Sequence, residues 1–500
     1  MKNKRIVSDK KLAIGCLIGL ALLVCVGVAH AQLWQPAPTF PGQGAGTAIL
    51  RTNGTVMVEE VTGPASQGGT PTGNWYVLIP DSFGSYGSGS WDQILSLPSD
   101  YAPLYFASAV LPDGRIIVEG GEYNLGIQDE TTLGAIYSTS GRWSSVKPPS
   151  GWSKIGDAPS VVLPNGTFMM GACCSYQEAL LDAKNLTWSA TGAGKEDPNS
   201  EEGWTLLPNG KVLTIDTQNG TASELYNPST GTWSNAGNLK VPITYDCGNS
   251  QFVPEIGPAV LRPDGTVLAT GANGNNAIYN SKTGTWSKGP IFPPNSSHGQ
   301  NGVADGPAAL LPNGHVLVMA SPINPCYTPP SNFFSFDGKN FDAVPEPPNA
   351  PEEASFDGRM VELPTGHILF TDGTQDVEIY EPVGSPASSW APTIKSYPKT
   401  ITRTDKYTIS GTQFNGLSQG AAYGDDAQSA SNFPVVRVTN NATGHITYAT
   451  TSNFSTMGVA TGKTVVSADF TFYFGTDTGP STLEVVTNGI ASKSVNVTVE

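Results

Sequence analysis

One alternation of apolar and polar residues returns along most of the chain: two or three apolar residues, a Leu-Pro-Asn/Asp-Gly turn or close variant, then a β-branched run. It ends at Gly54 (LRTNG), Gly114 (LPDG), Gly166 (LPNG), Gly210 (LPNG), Gly265 (LRPDG), Gly314 (LPNG) and Gly366 (LPTG), seven copies 44 to 60 residues apart. Asn-Gly and Asp-Gly pairs supply the positive φ angles of a tight turn between antiparallel strands, so each copy predicts a hairpin. The runs after the turns, such as RIIVEGG, KVLTID and HILFTD, are short and mostly apolar, which predicts buried inner strands. Most copies carry a second signature, a strand, a turn and an outer strand opening on an aromatic residue: Trp143, Trp188, Trp233, Trp286 and, more weakly, Phe341. Four strands in about fifty residues, without the helical period of about 3.6, predict a propeller blade of kelch type. The segment LWQPAPTF, with Trp34, resembles an outer strand without a blade before it. It is expected to close the ring against the last blade, whose inner strands lie around Leu363 to Tyr380.

After Trp390 the period stops. Alternating runs such as KYTISG, PVVRVTN, VVSADFTFYF and KSVNVTVE, separated by Gly, Asn and Asp turns, predict an antiparallel sandwich. The expected fold is therefore all-β: a seven-bladed kelch-type β-propeller over residues 32–391, then an immunoglobulin-like β-sandwich of early-set type over 392–500. Ahead of it, basic MKNKRIVSDKK, apolar LAIGCLIGLALLVCVGV and Ala29-His30-Ala31 read as a secretory signal peptide over residues 1–31. The mature chain is expected to be secreted, extracellular or periplasmic, without membrane insertion.

Charge narrows the partners. The chain has 26 basic and 42 acidic residues, and without the signal peptide 21 and 41 remain, a formal balance of −20. A surface this acidic repels nucleic acid and suits cations or uncharged ligands such as glycans. Four cysteines follow the signal peptide, Cys173, Cys174, Cys247 and Cys326. They allow three pairings among which the sequence does not choose, and no Cys-x-x-Cys spacing points to zinc.

Nine positions before the turn glycines stand Ala45, Tyr105, Asp157, Glu201, Ile256, Asp305 and Asp357, with Glu202 and Glu255 adjacent to two of them. These lead the innermost strands at the rim opposite the turns. Loops returning to the same rim bring Tyr123, Tyr176 and Tyr327 together with the cysteines, and His298 is the histidine placed nearest the mouth. The acids fit three roles: capping of turns, a hard-cation site for calcium or magnesium, or a crowded pair with one raised pKa for general acid–base work. The tyrosines either pack between blades or stack on a sugar.

The turn motif in a kelch propeller followed by an immunoglobulin-like domain resembles the galactose oxidase and glyoxal oxidase group of radical copper enzymes. That resemblance implies a copper-ligating tyrosine crosslinked to a cysteine, a Tyr-His pair and a histidine from the carboxy-terminal domain. Tyr105, in YFASAVLPDG, matches the crosslinked tyrosine, but Ala45 stands in the cysteine's place. Ala304-Asp305 and Phe356-Asp357 stand where the Tyr-His pair would be, and the loop GLSQGAAYGDDAQ offers Tyr423, Gly424, Asp425 and Asp426 in place of the last histidine. Copper favours imidazole and thiolate, whereas these positions are mostly carboxylate, so radical copper chemistry is not expected.

The expected function is binding of a neutral small molecule or glycan by Tyr105, Tyr123, Tyr176 and Tyr327. A hard cation would be held by Asp157, Glu201, Asp305, Asp357, Asp425 and Asp426. The alternatives are an oxidoreductase with a rearranged metal site, a carboxylate-based hydrolase or lyase, and a surface module for a protein partner.

Overall fold

The computed structural model describes residues 33–63, 69–248, 254–294, 299–424 and 429–500. The signal-peptide reading, His298, Asp425 and Asp426 lie outside the described residues. In every copy of the repeated motif the turn glycine donates its N–H to the carbonyl three residues back, at 2.8–3.0 Å. Only the glycine takes a positive φ, between 78° and 87°, while the preceding Asn or Asp does not. The turn is thus a type I turn closed by a left-handed glycine, which corrects the Asn-Gly two-residue form expected above. In most copies a proline at the second turn position, locked at negative φ, excludes the primed turns. The Asn or Asp side chain instead accepts the N–H two residues on, as in Asn165 to Thr167 (3.1 Å) and Asp264 to Thr266 (2.9 Å).

Each turn joins the two innermost strands of an antiparallel sheet. Ala107–Val110, Ile116–Glu119, Gly134–Tyr137 and Trp143–Val146 form one such sheet, and Thr205–Leu206, Val212–Ile215, Ser223–Asn227 and Thr232–Asn235 another. The last sheet takes its outer strand from the other end of the chain: Trp34–Pro36 pairs with Glu378–Tyr380. The outer-strand tryptophans tie the sheets together. The indole N–H of Trp143 donates to Leu95 O (3.0 Å), that of Trp188 to Lys147 O (2.7 Å), that of Trp233 to Glu178 Oε2 (2.8 Å) and that of Trp286 to Ser223 Oγ (2.8 Å). Every acceptor belongs to the preceding sheet or the segment leaving it. Trp91 reaches Pro38 O (2.8 Å) and Trp34 reaches Pro345 O (2.6 Å), so the direction is kept where the chain ends meet. An indole satisfies its single donor while burying a large apolar face, which is why this residue type recurs at the seam.

The final strands form a nine-stranded arrangement in which Ile446–Ser452 pairs on one side with Val435–Asn440 and on the other with Val465–Thr471. Its apolar residues, among them Val436, Phe470 and Leu483, run into the same core as Leu50, Val58 and Ile117 of the first sheets. Leu33–Glu500 is accordingly one compact unit. The carboxy-terminal strands lie against the turn tips: the N–H groups of Thr451, Phe454 and Met457 donate to Thr52 O (3.3 Å), Pro112 O (3.0 Å) and Pro164 O (3.0 Å). One hairpin leaves them and runs among the innermost strands. Gln419 Oε1 accepts Leu206 N–H (2.8 Å), Ser431 donates to Glu362 Oε2 (2.8 Å) and Ser429 donates to Ala48 O (3.0 Å). Its strand Ala421–Tyr423 pairs with Pro307–Leu310, placing Tyr423 opposite Pro307. No helix among the described residues is long and apolar enough to cross a membrane.

Candidate functional site

Three of the leading residues share an uncommon backbone conformation. Tyr105, Glu201 and Asp305 have φ of 54°, 52° and 55°, left-handed values that cost a non-glycine residue about 1 kcal/mol or more. Each lies just before an innermost strand, so the same kink delivers a side chain to the rim in three sheets. Tyr327 (φ 56°) arrives on another left-handed residue directly after Cys326.

Cys326 is bonded to Cys247, which resolves the pairing left open by sequence and joins two loops of the rim. The Cys247 loop contains Tyr245, which exchanges backbone hydrogen bonds with Glu255 at 3.1 and 2.9 Å. The disulfide therefore holds Tyr327 against Glu255, whose side chains are hydrogen-bonded. Burial first, then the nearby Asp305 carboxylate, pushes Glu255 well above the usual carboxylate range, with Asp157 and Glu122 adding to it. Tyr327 is raised in turn by burial and by the charges of Glu255, Asp305 and Glu201. Acids from different loops thus converge within electrostatic reach. Glu201, Asp305 and Asp157 belong to this group. Asp357 closes a short turn, its Oδ2 accepting Ala354 N–H (2.9 Å). Glu202 is taken up by a buried ion cluster with Lys195 (3.1 Å), which also holds Glu224 (3.0 Å).

Beside these acids opens a cavity of ≈ 460 Å³ bounded by Tyr105, Tyr123, Phe356, Leu104 and Thr70. Tyr105 and Tyr123 meet edge to face with centroids 6.3 Å apart. Tyr123 stands on a small rim sheet, Pro103–Leu104, Tyr123–Asn124 and Ile127–Gln128. On its other side Tyr105 stacks at 6.4 Å and 19° on Tyr423, the residue delivered by the axial hairpin. Arg359, a buried cation, lies with Cζ 3.6 Å from the Tyr423 centroid and 5.4 Å from that of Tyr105. It donates to Phe356 O (2.7 Å) and Gly358 O (2.9 Å), while Tyr423 Oη also donates to Phe356 O (2.8 Å). Tyr327 packs edge-on against Phe356 (5.6 Å). Tyr176 is exposed and has no ring contact with the other tyrosines among the described residues.

On the flank of this mouth, Cys173 and Cys174 are both free thiols, the first buried and the second exposed. The Cys173 thiol, hydrogen-bonded to it, holds Cys174 down at about 6, with help from the Ser200 hydroxyl and Lys154.

Arg359, Glu130 and the coupling of Glu255 to Tyr327 were not anticipated from sequence. Arg359 had a signal, being one of few basic residues and standing at the head of the strand Arg359–Glu362 that leads into the last turn. The Glu255 pairing had none, because it depends on which cysteines join.

No family profile matches the chain, and no curated protein matches it. Among solved structures, a fungal alcohol oxidase of the AA5 family in complex with copper is similar over 93% of this chain and 99% of its own, with TM-score 0.51 and 15% identity. A streptogramin B lyase aligns with 69% of this chain and 96% of its own (TM-score 0.47, 12% identity). A YCF48 protein bound to D1 peptide aligns with 71% and 98% (TM-score 0.45, 12% identity). Likeness at such identities speaks for the fold alone: this chain is an all-β protein that shares a β-propeller fold with that oxidase.

Proposed function

We propose that this chain is a secreted binding protein, a seven-bladed kelch propeller carrying an immunoglobulin-like sandwich, which holds a neutral polyhydroxylated ligand of the glycan class. The observation that carries the reading is the ≈ 460 Å³ cavity walled by Tyr105, Tyr123 and Phe356, with the carboxylates of Glu122, Asp157 and Glu130 within electrostatic reach of Tyr123. Aromatic faces stack on the apolar C–H faces of a sugar, and carboxylates accept its hydroxyls. The same acids repel phosphate, so nucleic acid is not a partner in this reading. Copper has no part in this reading: among the described residues the ring contacts of Tyr105 are with two phenol rings and a guanidinium, whereas copper favours imidazole and thiolate. Glu201 and Asp305 could hold a calcium or magnesium ion beside the ligand, and binding that survives chelation would remove the ion from the proposal. Titration calorimetry of the mature protein with glycans selected on an array should show affinity lost about tenfold in Tyr123→Ala. Unchanged affinity in that variant and in Tyr105→Ala would reject the cavity as the site.

A second reading rests on Glu255. A carboxyl pushed upward by burial and by the neighbouring Asp305 carboxylate suits a general acid with a partner base in a carboxylate-based hydrolase or lyase. Metal-independent turnover of a captured glycan, abolished in Glu255→Gln, would favour this reading.

A further inference from the structure

We propose that Glu130, Asp157 and Cys173 form a binding site for a thiophilic divalent cation of the zinc class on the flank of the channel mouth, beside the aromatic cavity. One donor atom from each lies within 4.8 Å of the other two. Ligand atoms around a tetrahedral zinc span about 3.3–3.8 Å, so modest side-chain adjustments close the set.

The three residues come from loops already laced to one another. Ile155 N–H donates to Glu130 O (3.3 Å), Gly156 N–H to Thr131 O (3.4 Å) and Cys173 N–H to Ile155 O (2.7 Å). A seat has been left for the Glu130 carboxylate: a Cβ on Gly156 would stand 2.0 Å from Glu130 Oε2 and 2.9 Å from Cys173 Cβ. Glu130 Oε2 is enclosed, and its carboxylate already faces the Cys173 thiol hydrogen and the Lys154 charge, so an arriving zinc ion would take the place of the thiol proton.

The donor chemistry selects the ion. One thiolate and two carboxylates are too few and too soft for calcium, which takes six or more oxygens, whereas zinc accepts sulfur and oxygen together. Cys174 beside the site is exposed. Because the ligands sit on three loops, no Cys-x-x-Cys spacing could have announced them.

The full mature protein, reduced and stripped with chelator, is titrated with zinc and separately with cobalt(II). One equivalent of zinc binds, and cobalt gives a thiolate-to-metal charge-transfer band. Cys174→Ser, which cannot form a vicinal disulfide, retains both signals. Cys173→Ser loses the band, and Glu130→Gln, which preserves shape, weakens zinc by about tenfold or more. Asp264→Asn, at a turn tip away from the mouth, binds zinc as the parent does. Absence of the cobalt band in Cys174→Ser, undiminished zinc binding in Cys173→Ser, or calcium competing equally would overturn the proposal, as would a Cys173–Cys174 disulfide that persists under reduction. Glycan affinity, read on the same samples, tests the other site separately.

Discussion

The chemistry of the mouth turns on which polar side chains are spent on the fold. Asp357 gives an oxygen to the Ala354 N–H, and Glu202 is bound into the Lys195 cluster. Glu255 is different, because burial and Asp305 oppose its charge while Tyr327 supplies one hydroxyl. A carboxyl raised above its unfolded value binds its proton more tightly when folded, so it lowers stability as pH rises through its folded pKa. Glu255→Gln removes that penalty. Calorimetric Tm of this variant should fall less than the parent's between pH 5 and pH 8, and an equal fall would show that Glu255 is ionised in the native protein.

Between elements, the seams are made by outer-strand tryptophans whose indole N–H groups cross to the preceding sheet. Their contributions should differ according to the acceptor. Trp233 donates to the buried Glu178, whereas Trp188 donates to the exposed Lys147 carbonyl, which water can satisfy. Trp233→Phe should cost about 1–3 kcal/mol beyond Trp188→Phe in urea denaturation, because a buried acceptor left without its donor bears the full desolvation penalty. Equal losses would mean that the rings act by packing alone. The repeating tryptophans were legible in sequence as strand starts. Their direction around the ring was not, since a hydrogen bond from Trp143 to Leu95 spans 48 residues and leaves no local pattern.

Taken together, the molecule is a store of buried carboxylates. Burial lifts Glu178, Glu202 and Glu378 to about 7, Glu362 to about 8 and Glu353 to about 11. Each binds protons more strongly folded than unfolded between the ordinary carboxylate value and its own, so stability falls as pH rises through that window. Acids with depressed values, such as Asp264 and Asp337, lose their contribution only at lower pH. Tm should therefore be higher near pH 5 than near pH 8. A maximum at or above pH 8 would show that folding does not raise these carboxylates above their ordinary range.

The hairpin repeats, the buried runs after each turn, the aromatic outer strands and the change of character after Trp390 were all readable from the order of residues, because strand alternation and turn chemistry act over a few neighbours. Even the register was legible: counting back from each turn glycine found Tyr105, Glu201 and Asp305, which share one left-handed kink. Three-dimensional packing alone chose the Cys247–Cys326 bond, set Tyr423 against Tyr105 and Arg359, and gathered Glu130, Asp157 and Cys173. Those partners stand on different loops and meet across neighbouring sheets or, for Tyr423, through the axial hairpin, so which groups face one another depends on the assembled sheets and not on any local run of sequence.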